Sequence, residues 1–266
     1  MGLEDIDIIS YAAGPGLPPC LLVGANFAIE LSKKHKKLLI PVNHCVAHLE
    51  IGKLMTGAKD PVFVYLSGGN TQIIAFAGGR YRIFGETEDA PLGNCLDVVA
   101  REMGFQMPGG PEIEKLAKKG KYVELPYVVK GMDVSFSGIM TAAIKLLKKG
   151  IPKEDVAYSL QETCFAMLTE VTERALAHTG KEEVLLVGGV AANKRLQAMM
   201  KRMCEERGAK FYVVPKKYAQ DNGVQIAWVG VLAYKSGWKD LNTKKDKINS
   251  KWRTDDVEIT WIKDRS

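Results

Sequence analysis

No apolar run in this chain of 266 residues reaches the ~18 residues a membrane span needs. The opening segment MGLEDIDIIS carries Glu4, Asp5 and Asp7 where a signal peptide carries Lys or Arg, so neither a membrane nor export is expected. Cysteine is sparse. Its five copies (Cys20, Cys45, Cys95, Cys164 and Cys204) are odd in number, far apart and without a CxxC pair. That argues against a disulfide framework and against a thiolate zinc site, and it fits a reducing cytoplasm. Internal repeats and low-complexity tracts are absent, as are a Walker A loop, a GxGxxG turn and an HExxH helix. Charge of one sign is not dominant either. The 37 basic and 31 acidic residues leave +6, compatible with a polyanionic partner but equally with a soluble protein that is merely basic.

What is present is ordinary globular chemistry, 46% hydrophobic and 26% charged, in a length that suits one or two lobes. Helical and strand-like patterns alternate, which predicts an α/β architecture. Strands are expected over 5–13, 38–42, 62–66, 72–76, 81–84, 183–187 and 210–214. Helices are expected over 20–35, 44–55, 92–103, 111–119, 155–178, 193–207 and 222–236.

Four local patterns can carry chemistry. His44 and His48 stand at i and i+4 on a predicted helix, so both imidazoles share one face and can reach one metal ion; packed structural histidines give the same spacing. Ser67-Gly68-Gly69-Asn70 joins two predicted strands; its free amides can hold a phosphate or metal-bound oxygens, or the segment can simply make a tight turn. The run Leu185 to Asn193 reads as strand, glycine turn and helix start, a junction used for nucleotides and also for plain packing. Asp221 precedes the last helix, where it can cap that helix or serve as a hard oxygen ligand. His35, among lysines, reads as solvated, and His178 as a structural residue at a helix C-terminus.

In this order the segments VNHCVAHLEIGKL, YLSGGNTQIIA, GNCLDVVARE, PGGPEIEKLAKKG, MDVSFSGI, VLLVGGVAANKRL and RTDDVEITW resemble the tRNA threonylcarbamoyladenosine synthase family, of the archaeal and eukaryotic KEOPS catalytic type. The likeness spans essentially the whole chain. It implies an actin/Hsp70-like (ASKHA) fold with two RNase-H-like lobes. Residues 1–84 would be the remainder of the first lobe, with 222–266 packing back on it, and 85–221 the second lobe. The resemblance also implies a metal site of His44, His48, Tyr65 and Asp221 holding iron or zinc. It implies a nucleotide site of Ser67, Gly68, Gly69, Asn70, Asp97, Gly110, Glu114 and Asn193 for ATP or threonylcarbamoyl-adenylate. The implied reaction moves threonylcarbamoyl from its adenylate to the adenine beside the anticodon of ANN-decoding tRNAs. The implied partners are tRNA, the KEOPS kinase subunit and accessory subunits. No residue is assigned as a general base.

The sequence also departs from the family pattern. An opening strand, hairpin and helix have no counterpart here, so the first lobe is expected to be incomplete. Pro18, Ala90-Pro91-Leu92, Tyr218-Ala219-Gln220 and Val224-Gln225 stand where the family usually carries other residues. An inactive nucleotide-binding scaffold is therefore kept as an alternative. A metallopeptidase is the weaker one, because Cys45 occupies the place of the zincin glutamate. The basic stretch Lys239, Lys244, Lys245, Lys247, Lys251 and Arg253 is either a solvated tail or a contact to tRNA phosphates.

Overall fold

The computed structural model describes residues 2–237 and 247–262. Lys239, Lys244 and Lys245 lie outside them. Strand β1 (Ile8–Gly14) pairs in parallel with β2 (Leu38–Asn43), and α1 (Pro18–His35) connects them. Helix α2 (His44–Thr56) follows directly and ends at Gly57, whose left-handed backbone is a common helix stop. Strands β3 (Val62–Leu66), β4 (Thr71–Ala77) and β5 (Arg80–Glu86) form an antiparallel meander. Next come α3 (Leu92–Glu102), α4 (Gly110–Ala117), a short ribbon of β6 (Val129–Lys130) and β7 (Asp133–Val134), α5 (Ser137–Lys148), and the 27-residue α6 (Lys153–Thr179). The chain continues through β8 (Glu183–Val187), a 3-10 turn at Gly189–Ala192, α7 (Lys194–Glu206) and β9 (Lys210–Val213). It finishes with α8 (Lys216–Ala219) and α9 (Gly223–Lys235).

One five-stranded sheet, ordered β5-β4-β3-β8-β9, organises the molecule. Its first three strands are antiparallel and the last two are parallel to β3, the strand order of an RNase-H-like unit. Side chains alternate across a strand, so β3 serves two cores. Val62, Val64 and Leu66 face the core built with α3, α6 and α7, which includes Val99, Leu160, Phe165 and Leu196. Phe63 and Tyr65 face the other core, with Val46 and Leu49 of α2 and Val229 of α9. Each fully buried Leu or Phe in these layers contributes about 1.5–3 kcal/mol. Helix α2 therefore lies against the sheet face that carries Tyr65. It comes close because Gly52 has no side chain; a Cβ there would stand 2.7 Å from Val187 Cγ1.

Strand β3 hydrogen-bonds to β8, Val62 opposite Val184 through Tyr65 opposite Val187, so 62–86 cannot be parted from 183–213. Helix α9 packs on β1, β2 and α2. The segment 249–259 runs further: Asn249 N donates to Ala13 O at 2.7 Å, and Ile259 N to Gly79 O at 3.0 Å, tying β1 to the β4–β5 turn. Sequence periodicity assigned no element to 137–148, 216–219 or the β6–β7 ribbon. The strand predicted from residue 5 begins at Ile8, preceded by a 3-10 turn at Leu3–Asp5.

Candidate metal and nucleotide site

Asn43 ends β2 and starts α2. Its Oδ1 accepts from Val46 N at 3.1 Å, capping the helix, while its Nδ2 donates to Trp252 O at 3.1 Å. That cap fixes the first turn of α2, where His44 stands, with His48 one turn on. Asp221 arrives from the loop before α9. It does not cap that helix, because Asn222 Oδ1 accepts from Gln225 N at 3.1 Å and takes the role. The Asp221 carboxylate is directed at the histidines instead: Oδ1 lies 3.2 Å from His44 Nε2 and 3.1 Å from His48 Nε2. The two Nε2 atoms are 3.2 Å apart.

That triangle is crowded in a particular way. A neutral imidazole carries a single N–H. If both Nε2 atoms donate to Asp221, the 3.2 Å contact between them sets donor against donor; if one does not, it offers the carboxylate a lone pair. A cation held by these three groups would relieve both conflicts, and two imidazoles with a carboxylate suit iron or zinc. Among the described residues these three form the one cluster of His, Cys, Asp and Glu so arranged. Hydrogen bonds from His44 and then His48 hold the Asp221 carboxyl well below the usual range, against the effect of burial. Burial pushes the His48 imidazole down, which favours its neutral, ligating form. His48 Nδ1 is buried without a hydrogen-bond partner, so packing orients the ring, including Tyr65 at 5.2 Å between centroids.

Tyr65 sits behind this cluster on β3. Burial raises its phenol well above the ordinary value, with Cys45 adding to the rise and the Ser67 hydroxyl opposing it. Cys45 of α2 is buried beside Tyr65 and Thr254, and burial pushes its thiol up to about 11. The glycine hairpin follows β3. Ser67 Oγ accepts from Asn70 N at 3.0 Å and Gly69 N at 3.3 Å, so those two amides brace the turn and are not the free donors expected for a phosphate. What faces outward is bare backbone: a Cβ at Gly68 or Gly69 would meet nothing within 4 Å.

A cavity of about 880 Å³ joins these parts, a size suited to a small-molecule ligand. His44, His48, Tyr65, Asp221 and the hairpin Ser67–Asn70 line it, together with Gly16, Leu17 and Cys20 from the start of α1 and Gly189 after β8. Gly188, just before, adopts φ +89° and passes so close to β3 that a Cβ would lie 2.2 Å from Leu66 O; only glycine fits there.

Asp97, Gly110, Glu114 and Asn193 are not in this lining. They belong to α3, α4 and the start of α7, reached from the cavity through the Gly189–Ala192 turn. Each polar member holds backbone. Asp97 Oδ1 accepts from Gly109 N at 2.6 Å, Glu114 Oε1 from Lys194 N at 2.7 Å, and Asn193 Oδ1 caps α7 through Arg195 N and Leu196 N. Gln225, which the sequence marked as a departure from the family pattern without a role, is fully buried, with Nε2 3.3 Å from His48 Nε2. Its signal was a lone amide in the apolar run GVQIAWVGVLA.

The sequence model of the family described as TsaD, tRNA N6-adenosine threonylcarbamoyltransferase, matches residues 1–228. The chain belongs to this family. The tRNA N6-adenosine threonylcarbamoyltransferase of Archaeoglobus fulgidus is 58% identical over 97% of this chain and 80% of its own length. A probable bifunctional tRNA threonylcarbamoyladenosine biosynthesis protein of Methanocaldococcus jannaschii is 56% identical over 98% of this chain and 49% of its own length. Among solved structures, HypF of T. kodakarensis superimposes with a TM-score of 0.69 at 17% identity, over 94% of this chain and 43% of that one. That likeness concerns fold alone, and it agrees with the ASKHA architecture expected of a threonylcarbamoyltransferase.

Proposed function

We propose that this chain transfers a threonylcarbamoyl group from its adenylate to N6 of the adenine beside the anticodon of ANN-decoding tRNAs. The observation that carries the reading is the shared cavity. The His44, His48 and Asp221 cluster and the glycine hairpin open on one space, so a metal site and a phosphate approach meet where an acyl adenylate would react. Family membership fixes the reaction class.

In that reaction N6 attacks the carbamoyl carbon, the bond from that carbon to the phosphate oxygen breaks, AMP leaves, and the amine gives up a proton. The amine is a poor nucleophile because its lone pair is delocalised into the ring, so positioning supplies much of the acceleration. His44, His48 and Asp221, with Tyr65 behind them, would hold the ion; when bound, it supplies Lewis-acid compensation of charge on the acyl phosphate. The bare Gly68–Gly69 backbone admits the phosphate end, and Ser67 keeps that turn rigid. Asp97, Gly110, Glu114 and Asn193 would receive the nucleoside end, the two acids through ribose hydroxyls. No side chain at the cavity is assigned as a general base.

tRNA docking is supported by Lys247 and Lys251 on the segment that crosses the Gly14–Gly16 loop; Gly16 N donates to Ser250 O at 3.2 Å. Arg253 is less available, being paired with Glu86 and Asp255. Trp261 anchors the tail, donating to the buried Glu50 at 2.7 Å. The KEOPS kinase and accessory subunits are the protein partners of this reading, supported by exposed Leu22, Val23 and Phe27 on α1. A cytoplasmic setting accords with the absence of any cysteine pairing. No helix among the described residues is long and apolar enough to cross a membrane.

The test is nucleotide retention. ATP bound to the purified chain should be released when a chelator strips the metal and should bind weakly to His44→Ala. Equal retention by stripped, substituted and untreated protein would separate the cavity's two halves and defeat the reading.

A further inference from the structure

Gln225 is the one polar side chain that α9 sends into the apolar layer between itself, α2 and the sheet without an assigned purpose. It is fully buried, and it stops at the metal cluster. His48 Nε2 has three polar neighbours: Asp221 Oδ1 at 3.1 Å, His44 Nε2 at 3.2 Å and Gln225 Nε2 at 3.3 Å. One ring nitrogen can satisfy one of them through a proton or a lone pair.

We propose that Gln225 is a further donor to the metal centre, offering its side-chain amide oxygen to the ion held by His44, His48 and Asp221. The inference rests on reading that cluster as a metal site. When His48 gives its Nε2 lone pair to an ion, the Gln225 N–H beside it loses its acceptor and would be left buried and unsatisfied, which costs about 1–3 kcal/mol. A half-turn of the carboxamide, whose two ends are nearly isosteric, presents the oxygen in place of that N–H and carries the NH2 to the Asn222 side. The contact given up is slight. Asn222 Nδ2 reaches Gln225 Oε1 only at 3.4 Å and already donates to Gln220 O at 2.7 Å. A neutral, hard oxygen added to two imidazoles and a carboxylate shifts preference toward harder divalent ions.

Cobalt(II) titration of the full chain, against a competing chelator and with the visible d–d band recorded, tests this. Gln225→Met keeps an unbranched side chain of similar volume, so the fold should persist, as a thermal melt would verify. Its cobalt affinity should fall about 10-fold or more, and the band should intensify as the coordination number drops. Gln225→Glu keeps an oxygen in place and should bind cobalt at least as tightly as the native chain. It decides the matter if the methionine variant does not fold. Native and Gln225→Met proteins with equal affinity and spectrum, a tighter Gln225→Met, or a weaker Gln225→Glu would overturn the proposal while leaving the centre intact. Native protein and His44→Ala titrating alike would instead remove the metal reading, and this inference with it.

Discussion

Single residues in this molecule are held by hydrogen bonds whose strength depends on charge, and Asp89 shows it best. Burial works against its ionisation, yet the Ser135 and Ser137 hydroxyls and the amides of Phe136 and Ala90 outweigh that and hold the carboxyl well below the usual range. The folded-state pKa lies below the unfolded one, so the stabilisation is present above the unfolded value and is lost as pH falls through the carboxylate range. Asp89→Asn should therefore be less stable than the native chain at pH 7, with the gap closing in acid; a gap constant with pH in denaturant titrations would contradict this. The cysteines differ just as clearly. Cys20 is exposed and lines the cavity, whereas Cys45 and Cys204 are buried with thiols raised to about 11 and about 12. At pH 8 an alkylating reagent should modify Cys20 first, and saturating ATP should slow it. Mass mapping that finds Cys20 unprotected by nucleotide would place the ligand elsewhere.

Among the elements, α2 carries both histidines of the cluster and has little freedom of its own. Cys45 through Gly52 are all buried, so its amphipathicity is lost and its position is set by the Asn43 cap and the Gly52 approach to β8. Asn43→Ala removes the cap and the contact to Trp252 together and should cost about 1–2 kcal/mol, read from urea unfolding. A loss below ~0.5 kcal/mol, the low end of measured caps, would show that packing alone positions His44. The elements were legible in the sequence where periodicity was strong. The spans of α1, α2, α6 and β3 came within a few residues. Helix α5 was not, because its apolar residues follow the irregular stretch 121–128 and only Ile139 and Ala143 are fully buried. The Asp221 alternative was settled by its neighbour: sequence could not show that Asn222 would take the cap.

At the scale of the whole molecule, the pairing of β3 with β8 is something sequence patterns do not contain. β3 looks contiguous with the elements before it, but its parallel partner β8 lies far along the chain, and hydrogen-bond pairing over that separation leaves no periodic trace. The approach of His44 to His48 was readable because they share one helix face. The nucleotide residues came from family resemblance, and the fold divides them between the cavity and a cluster on α3, α4 and α7 that braces backbone. Gln225 was visible as a departure from the family pattern and as a polar residue in an apolar helix, without a hint of what it would touch.

On the proposed function, this cavity performs the transfer itself. Labelled threonylcarbamoyl-adenylate should be supplied with unmodified tRNA and the kinase-containing partner complex, to the native chain and to His48→Ala. The account predicts label in the tRNA with native protein and a drop of more than about 100-fold for the variant, beyond what changes outside the ligand set cost. Native protein that holds metal and nucleotide yet transfers no label would contradict it, and would make this chain a scaffold.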